Sequence, residues 1–235
     1  MRIGIVCYPS VGGSGIVATE LGKSLSRRGH EVHFISYDVP QRLQGANEKF
    51  HFHHVDVPLY PLFKFPPYTL ALASSIYQIY QESPLDILHV HYAIPHCTSA
   101  FLAKQMLCKQ HQVSLKVVAT LHGTDTELVG QMPSYKPVVE FSIDSCNAVT
   151  AVSQYLKKAT LAEFDIKEDI QVIYNPIDTD YFCPPAQDTR PERRRKTIVH
   201  ISNFRPVKRI EDVIKVFDLV SSAVPAHLVF VGEGP

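Results

Sequence analysis

The chain has 235 residues, which is enough for one large domain or two modest ones with a well-buried core. Its 23 Lys and Arg residues balance its 23 Asp and Glu residues. A net charge of zero gives no electrostatic reason to expect nucleic acid or an anionic membrane as a partner, so an anion must be bound by locally placed basic groups.

The cysteines and the first residues favour a cytoplasmic protein. The five cysteines are scattered and never spaced C-x-x-C, which favours reduced thiols over a disulfide framework or a zinc site. The apolar run at 3–7 is too short for a signal peptide, and no run of about 18 apolar residues follows. We therefore expect a soluble, unexported protein without stable membrane association.

Short apolar runs alternate with longer amphipathic ones, as in a parallel sheet covered by helices on both faces. In the first helix Ile16, Leu21 and Leu25 predict one apolar face, and Gly29 follows its basic end as a C-cap glycine does. The pattern predicts an α/β fold with a doubly wound sheet. Predicted strands cover residues 3–7, 32–36, 50–57, 87–91, 116–121 and 148–152, and predicted helices cover 15–28, 69–81, 98–110, 135–144 and 154–164.

The second part of the chain has a different texture. A short apolar run at 171–174 and a polar, Pro-rich stretch at 183–196 precede a new β-α-β unit over 197–202, about 208–222, and 227–231. A lone β-α-β unit cannot bury both faces of its strands, so we expect an incomplete second Rossmann-like domain. The predicted organisation is a first domain over 1–168, a connecting segment over 169–196 and the start of the second domain over 197–235.

Glycines 12, 13 and 15 surround Ser14 where the first strand meets the first helix. Glycines allow close backbone approach to a ligand, and a helix N-terminus favours an anion. The spacing is not G-x-G-x-x-G, so the dinucleotide fingerprint is absent. A tight turn with Ser14 as the helix cap is an equally good interpretation.

Arg205 and Lys208 repeat this geometry after the first strand of the second domain. Cations at the positive end of a helix are unfavourable without an anion, which favours diphosphate binding over a solvated surface. Two such loops, one in each domain, predict a ligand held in the cleft between the domains.

Six motifs follow one another along the chain: the N-terminal Gly-Gly loop, H-V-H-Y at 89–92, L-H-G-T-D at 121–125, A-V-S at 151–153, Y-N-P-I-D at 174–178 and S-N-F-R-P-V-K-R at 202–209. In content and order they resemble the motifs of the family-four GT-B glycosyltransferases. The runs at 91–96 and 202–209 are most similar to the subfamily that joins N-acetylglucosamine to L-malate in bacillithiol biosynthesis.

The resemblance implies a retaining transferase that uses UDP-N-acetylglucosamine and L-malate, without a metal or other cofactor and without a protein nucleophile. The departing diphosphate would be neutralised by basic groups, and His122 would lie beside the donor sugar. The implied residues are His122, Arg205 and Lys208 for catalysis, Gly13 and Asn203 with the same two cations for the donor, and Ser14, Tyr92, Thr124 and Ser153 for the acceptor.

Two alternatives stay open. A related transferase could use a lipid-linked or inositol-phosphate acceptor, which an exposed apolar patch would favour, and the sequence shows none clearly. The other is a sugar-nucleotide-binding module without turnover. The family's paired-glutamate motif lies downstream of residue 235, so inactivity of this chain alone is among the options. The oligomeric state is open, with a homo-oligomer among the options.

Other polar runs have simpler interpretations. Asp178 and Asp180 form a D-x-D pair, but they follow a proline turn outside the basic loop, so we do not expect a metal there. His89, His91 and His96, with histidines 51, 53 and 54 upstream, are interpreted as edge-of-cleft residues, because zinc needs further converging ligands. The basic run at 190–196 is interpreted as a solvated hinge. The proline-rich segment at 59–68 is either a loop over the acceptor side or a packed surface loop.

Overall fold

The computed structural model describes residues 1–10, 12–43, 50–184 and 195–234. The chain forms two compact units, Met1–Ile177 and Asp178–Pro235, and each is described by itself. Most of the predicted hinge at 190–196 lies outside the described residues.

The first unit contains seven strands and five α-helices in its described residues, in the alternating order that the sequence predicts. The short apolar run at 171–174, which the sequence places in the connecting segment, overlaps the seventh strand. The strands are β1 Arg2–Val6, β2 Glu31–Ser36, β3 Phe50–His54, β4 Ile87–His91, β5 Lys116–Leu121, β6 Ala148–Ala151 and β7 Ile170–Val172; the helices are α1 Ser14–Arg27, α2 Tyr68–Glu82, α3 Thr98–His111, α4 Lys136–Asp144 and α5 Gln154–Glu163.

The seven strands form one sheet in the order β3-β2-β1-β4-β5-β6-β7, and every neighbouring pair is parallel. The chain therefore winds outward from β1 in one direction and from β4 in the other. This confirms the predicted doubly wound α/β sheet. Its topological switch point lies between β1 and β4, where open α/β sheets bind their ligands.

The sheet is buried on both faces, as parallel sheets are. On one face Ile5 and Phe34 pack with Ala18 of α1. On the other face, Val6 and Leu88 belong to a larger cluster that extends to α2 and α3. Successive residues of β1 thus contribute to different clusters, which fixes the strand register.

The helix α1 packs mainly through small residues. Gly15, Ala18 and Gly22 are buried, whereas Ile16 and Leu21 are only partly so. Of the predicted apolar face, Leu25 packs against the core cluster, whereas the small residues make the closest contacts with the sheet. The reason is close approach: a Cβ at position 22 would lie 2.3 Å from a ring atom of Phe34.

The second unit contains β8 Lys196–Ile201, α6 Ile210–Ala223 and β9 Ala226–Val231, and the two strands pair in parallel. Among its described residues no side chain is buried. Ile201, Val216 and Leu219 are well exposed, as expected for a single β-α-β unit. The helix begins at Ile210, two residues later than predicted, because a 3₁₀ turn occupies Pro206–Lys208.

Candidate functional site

A hydrogen bond spans the switch point of the sheet. Ser14 follows β1 and Tyr92 follows β4, and Ser14 Oγ donates to Tyr92 OH over 2.8 Å. The two residues are 78 positions apart in sequence. The fold therefore brings together two of the predicted acceptor residues at the carboxyl edge of the sheet, where ligands bind in this topology.

The glycine loop shapes the start of α1. Gly13 is the N-cap and has φ 59°, a conformation that glycine adopts without strain. Ser14 is the first helical residue and does not cap the helix with its side chain, so the capping interpretation is wrong. A Cβ at position 15 would lie 2.7 Å from the carbonyl oxygens of Tyr8 and Ser10, so the helix start is held against the end of β1.

Tyr92 has an unusual backbone conformation for a residue with a side chain, with φ 91° and ψ 136°. Such conformations cost about 1–3 kcal/mol and concentrate at functional sites. Its ring lies 5.4 Å from the ring of Tyr8 and 5.3 Å from that of His122, measured between centroids. The fold thus constrains Tyr92 from both sides.

Three histidines form a stacked row beside Tyr92. The rings of His89 and His91 are 4.8 Å apart, and those of His91 and His122 are 5.1 Å apart. His91 Nδ1 and His122 Nε2 are hydrogen-bonded at 2.8 Å, and His89 Nε2 contacts Thr120 Oγ1 at 2.7 Å. Burial lowers the pKa of His122 to about 4, with a further contribution from His89 and His96, so its imidazole is neutral at pH 7.

The prediction that His91 and His96 lie at the edge of a cleft is wrong, because both side chains are fully buried. The Nδ1–H of His96 donates to the His91 carbonyl, and its Nε2 accepts from Tyr68 OH at 3.4 Å. Burial lowers the pKa of His96 to about 4 and that of His91 well below its ordinary value. These residues support the site from within the unit.

Asp125 is a site residue to which the sequence analysis assigned no role, although it lies in the L-H-G-T-D motif. Its carboxylate accepts from the backbone N–H of Ala93 at 2.8 Å, of Gly123 at 3.0 Å and of His122 at 3.2 Å. Burial raises its pKa, and these hydrogen bonds oppose that effect. Asp125 therefore ties the loop after β4 to the loop after β5 and fixes the position of His122.

An aromatic cluster at the carboxyl edge was also missed. Tyr8 lies 4.5 Å from His96, 6.2 Å from Tyr37 and 6.4 Å from Tyr68 between ring centroids. Burial raises the pKa of Tyr8 to about 12, so its hydroxyl stays protonated and can donate. The signal in the sequence was that Tyr8 and Tyr37 follow directly on predicted strands.

Thr124 and Ser153 lie after β5 and β6. Thr124 is exposed and begins the turn Thr124–Leu128. Ser153 Oγ accepts a hydrogen bond from Leu156 N at 3.1 Å and caps α5. The structure thus gives Ser153 a capping role, and an acceptor role for either residue stays a prediction.

In the second unit, Asn203, Arg205 and Lys208 lie in the loop between β8 and α6, and all three are exposed. Among the residues that the structure describes, no carboxylate lies within 4.0 Å of Arg205 or Lys208. Arg209, in contrast, is paired, with Nε 2.6 Å from Asp212 Oδ2. The loop offers two cations that no described acidic group neutralises.

The D-x-D pair also lies in the second unit. Asp178 Oδ1 accepts from the backbone N–H of Asp180 and of Tyr181, both at 3.1 Å. This carboxylate oxygen therefore stabilises a turn, a common role of aspartate at such positions.

The loop from β3 to α2 exposes apolar side chains. The exposed fraction is 85% for Leu59, 81% for Leu62 and 75% for Phe65. The packed-loop interpretation is wrong for these side chains. Because the loop leaves the carboxyl end of β3 and Tyr68 begins α2 beside Tyr8, it starts and ends at the same edge as the site.

The architecture is that of the GT-B glycosyltransferases. The structure of Anabaena HepE in complex with UDP and glucose matches the entire chain with a TM-score of 0.71 at 16% identity, and 62% of that protein is covered. Sucrose-phosphate synthase from Thermosynechococcus elongatus matches 99% of the chain with a TM-score of 0.65 at 14% identity, with 70% of it covered. At these identities the likeness establishes the fold alone.

The sequence profile of Glycosyltransferase Family 4 matches residues 11–181, and the chain belongs to this family. It is 47% identical over 240 aligned residues to N-acetyl-alpha-D-glucosaminyl L-malate synthase of Bacillus anthracis, an alignment that covers all of this chain and 62% of that enzyme. An uncharacterized glycosyltransferase of Methanocaldococcus jannaschii is 24% identical over 176 residues, which are 74% of this chain and 46% of that protein. The chain thus spans less than two thirds of the curated relatives that it matches.

No helix among the described residues is long and apolar enough to cross a bilayer.

Proposed function

We propose that the protein transfers N-acetylglucosamine from UDP-N-acetylglucosamine to L-malate. The observation that carries the proposal is the 47% identity, over the full length of this chain, to a synthase whose name specifies that product. The alignment extends through both units.

The switch-point residues suit a small hydroxy-dicarboxylate acceptor. Ser14 and Tyr92 offer hydroxyl groups 2.8 Å apart. The first-turn amides of α1 have no acceptor inside the helix and favour a carboxylate. In this proposal Ser14 and Tyr92 orient the malate, with Thr124 and Ser153 as additional contacts.

Donor binding is assigned to His122 and to the basic loop that contains Arg205 and Lys208. A neutral His122 offers hydrogen bonds to sugar hydroxyls without acting as a nucleophile. Arg205 and Lys208 offset the charge that develops on the UDP diphosphate as the glycosidic bond to it breaks, and Asn203 and the Gly13 backbone provide further contacts. The malate hydroxyl attacks from the face that the phosphate leaves and passes its proton to that phosphate, so the anomeric configuration is retained.

Turnover is proposed to be independent of metal, since the two cations replace a divalent ion on the diphosphate. The test is a turnover assay with a chelator present. Loss of activity that magnesium or manganese restores would show that the loop is misassigned.

Turnover with UDP-N-acetylglucosamine across a panel of acceptors tests the proposal as a whole. The panel contains L-malate, D-malate, other small hydroxy acids, inositol phosphates and a lipid-linked acceptor. The assay uses the native protein. L-malate should be preferred by at least tenfold in kcat/KM. A preference for another acceptor would refute the substrate while the fold and family stand.

A lipid-linked acceptor is the second candidate, because the loop at 59–65 exposes apolar side chains that can contact a lipid. Lys64 Nζ lies 5.4 Å from the ring centre of Phe65, so a cation accompanies the apolar side chains. Such a surface suits an anionic lipid interface. The lipid arm of the panel decides between the two.

A further inference from the structure

A second group of polar side chains lies near the amino ends of the strands, whereas Ser14 and Tyr92 follow their carboxyl ends. Glu31 and His33 are at the start of β2, and His51 pairs with His33 on the neighbouring strand. Alternate residues of β3 point to opposite faces, so its phenylalanines join the core on the other side. The two strands thus present a carboxylate and two imidazoles on one face.

The three ligand atoms are arranged at metal-site distances. Glu31 Oε1 lies 3.2 Å from His51 Nε2 and 3.4 Å from His33 Nε2, and all three atoms are within 4.8 Å of one another. A tetrahedral zinc ion with bonds of about 2.0–2.1 Å separates its ligand atoms by about 3.3–3.4 Å. The two separations measured from Glu31 Oε1 match these values.

The state of His33 points to a missing partner. Its side chain is almost completely buried, with 2% exposed, and its Nε2 has no hydrogen-bond partner among the described residues although Glu31 Oε1 is near. Its Nδ1 is hydrogen-bonded to His53 Nε2 at 2.8 Å. When Nδ1 donates that bond, Nε2 carries the free lone pair of the ring. A hydrogen bond of this kind to an outer partner is how metal-binding histidines are oriented.

We propose that Glu31, His33 and His51 bind one zinc-class divalent cation, with His53 as the outer partner that orients His33. Two imidazoles and a carboxylate suit this class of ion. Arg2 Nε lies 3.6 Å from Glu31 Oε2, which leaves Oε1 directed at the histidines. The site ties the edge strand β3 to β2, so its role is structural and separate from transfer. In this proposal His51 is a metal ligand and His53 is the outer partner of His33, whereas the sequence favoured edge-of-cleft roles for His51 and His53.

The test is calorimetric titration with Zn²⁺ of tag-free native protein carrying Cys108→Ser and Cys183→Ser, which remove the two exposed thiols. One ion per chain should bind. His51→Ala and Glu31→Gln should each weaken binding at least tenfold, and His53→Ala by about 10- to 100-fold. The matched control is His54→Ala, an exposed histidine next to the site on the same strand.

A second measurement uses stability. Zn²⁺ should raise the Tm of the parent protein and of His54→Ala, but not of His51→Ala, because a ligand that binds only the native state stabilises it. No zinc binding, or equal weakening by His51→Ala and His54→Ala, would overturn the proposal. All variants change exposed or partly exposed side chains, so a folded protein is expected in each arm.

Discussion

His91 Nδ1 lies 2.8 Å from His122 Nε2, and this contact sets the proton positions of both rings. His91 Nε2 is buried without a hydrogen-bond partner among the described residues. A buried N–H left without an acceptor is rarer than an unpaired acceptor, so we place the proton of His91 on Nδ1. It then donates to His122 Nε2, and the neutral His122 carries its own proton on Nδ1, where it can donate to a ligand.

The buried histidines make stability depend on pH. His89, His96 and His122 each have a folded pKa of about 4 against an ordinary value of 6.5, mainly because of burial. Above pH 6.5 they are neutral in both states. Below it the unfolded chain binds protons that the folded one does not, so stability falls between about pH 6.5 and 4.

Each such histidine should remove about 2 kcal/mol of unfolding free energy between pH 7 and 5. Urea unfolding at a series of pH values measures this. In His122→Gln the loss of unfolding free energy between pH 7 and 5 should be smaller than in the parent by that amount. Parallel slopes for parent and His122→Gln would contradict the assignment.

The Ser14–Tyr92 hydrogen bond should couple the two residues in acceptor binding. Ser14→Ala and Tyr92→Phe each remove it, and each should raise the KM for malate. In a double-mutant cycle their effects should be non-additive by about 0.5–1.5 kcal/mol, the net value of a hydrogen bond.

Tyr37→Phe serves as the control for this cycle, because Tyr37 belongs to the aromatic cluster without contacting Ser14 in any described hydrogen bond. Its effect should add to that of Ser14→Ala. Additivity between Ser14→Ala and Tyr92→Phe would mean that the bond does not form in the working enzyme.

The alternation of apolar runs was enough to predict the sheet and its helices, but not the contacts of α1. Hydrophobic periodicity marks large side chains such as Leu21, whereas close helix–sheet packing is made by Gly15 and Gly22, which carry no such signal. Likewise, the pairing of Ser14 with Tyr92 depends on β1 and β4 being neighbours. Local sequence does not encode that strand order.

Gly15 and Gly12 provide a test of this packing. Gly15→Ala places a Cβ 2.7 Å from three oxygen atoms of Tyr8 and Ser10, so it should destabilise the protein by about 1–3 kcal/mol. A Cβ at Gly12 meets no atom within 4 Å, so Gly12→Ala should change stability little. Chemical denaturation measures both, and similar midpoints for the two variants would show that the helix start can shift to make room.

Arg205 and Lys208 are predicted to bind the donor diphosphate. Either Arg205→Ala or Lys208→Ala should weaken UDP binding by about 1.5–3 kcal/mol, roughly 10- to 150-fold, the range for hydrogen bonds to charged groups. The effect should shrink as salt concentration rises, because these side chains are exposed and salt screens them.

Arg209→Gln is the matched control for this prediction. Arg209 is the neighbouring cation, but its guanidinium is occupied by Asp212 over 2.6 Å. Its loss should therefore leave UDP affinity within about twofold of the parent, since an exposed ion pair contributes little.

Calorimetry with UDP on the native protein distinguishes the outcomes. If the folded Arg205→Ala/Lys208→Ala double variant binds UDP like the parent, or if Arg209→Gln weakens binding as much as either single change, the diphosphate is held elsewhere. A selective loss at 205 and 208 would instead assign charge neutralisation in the leaving group to this loop.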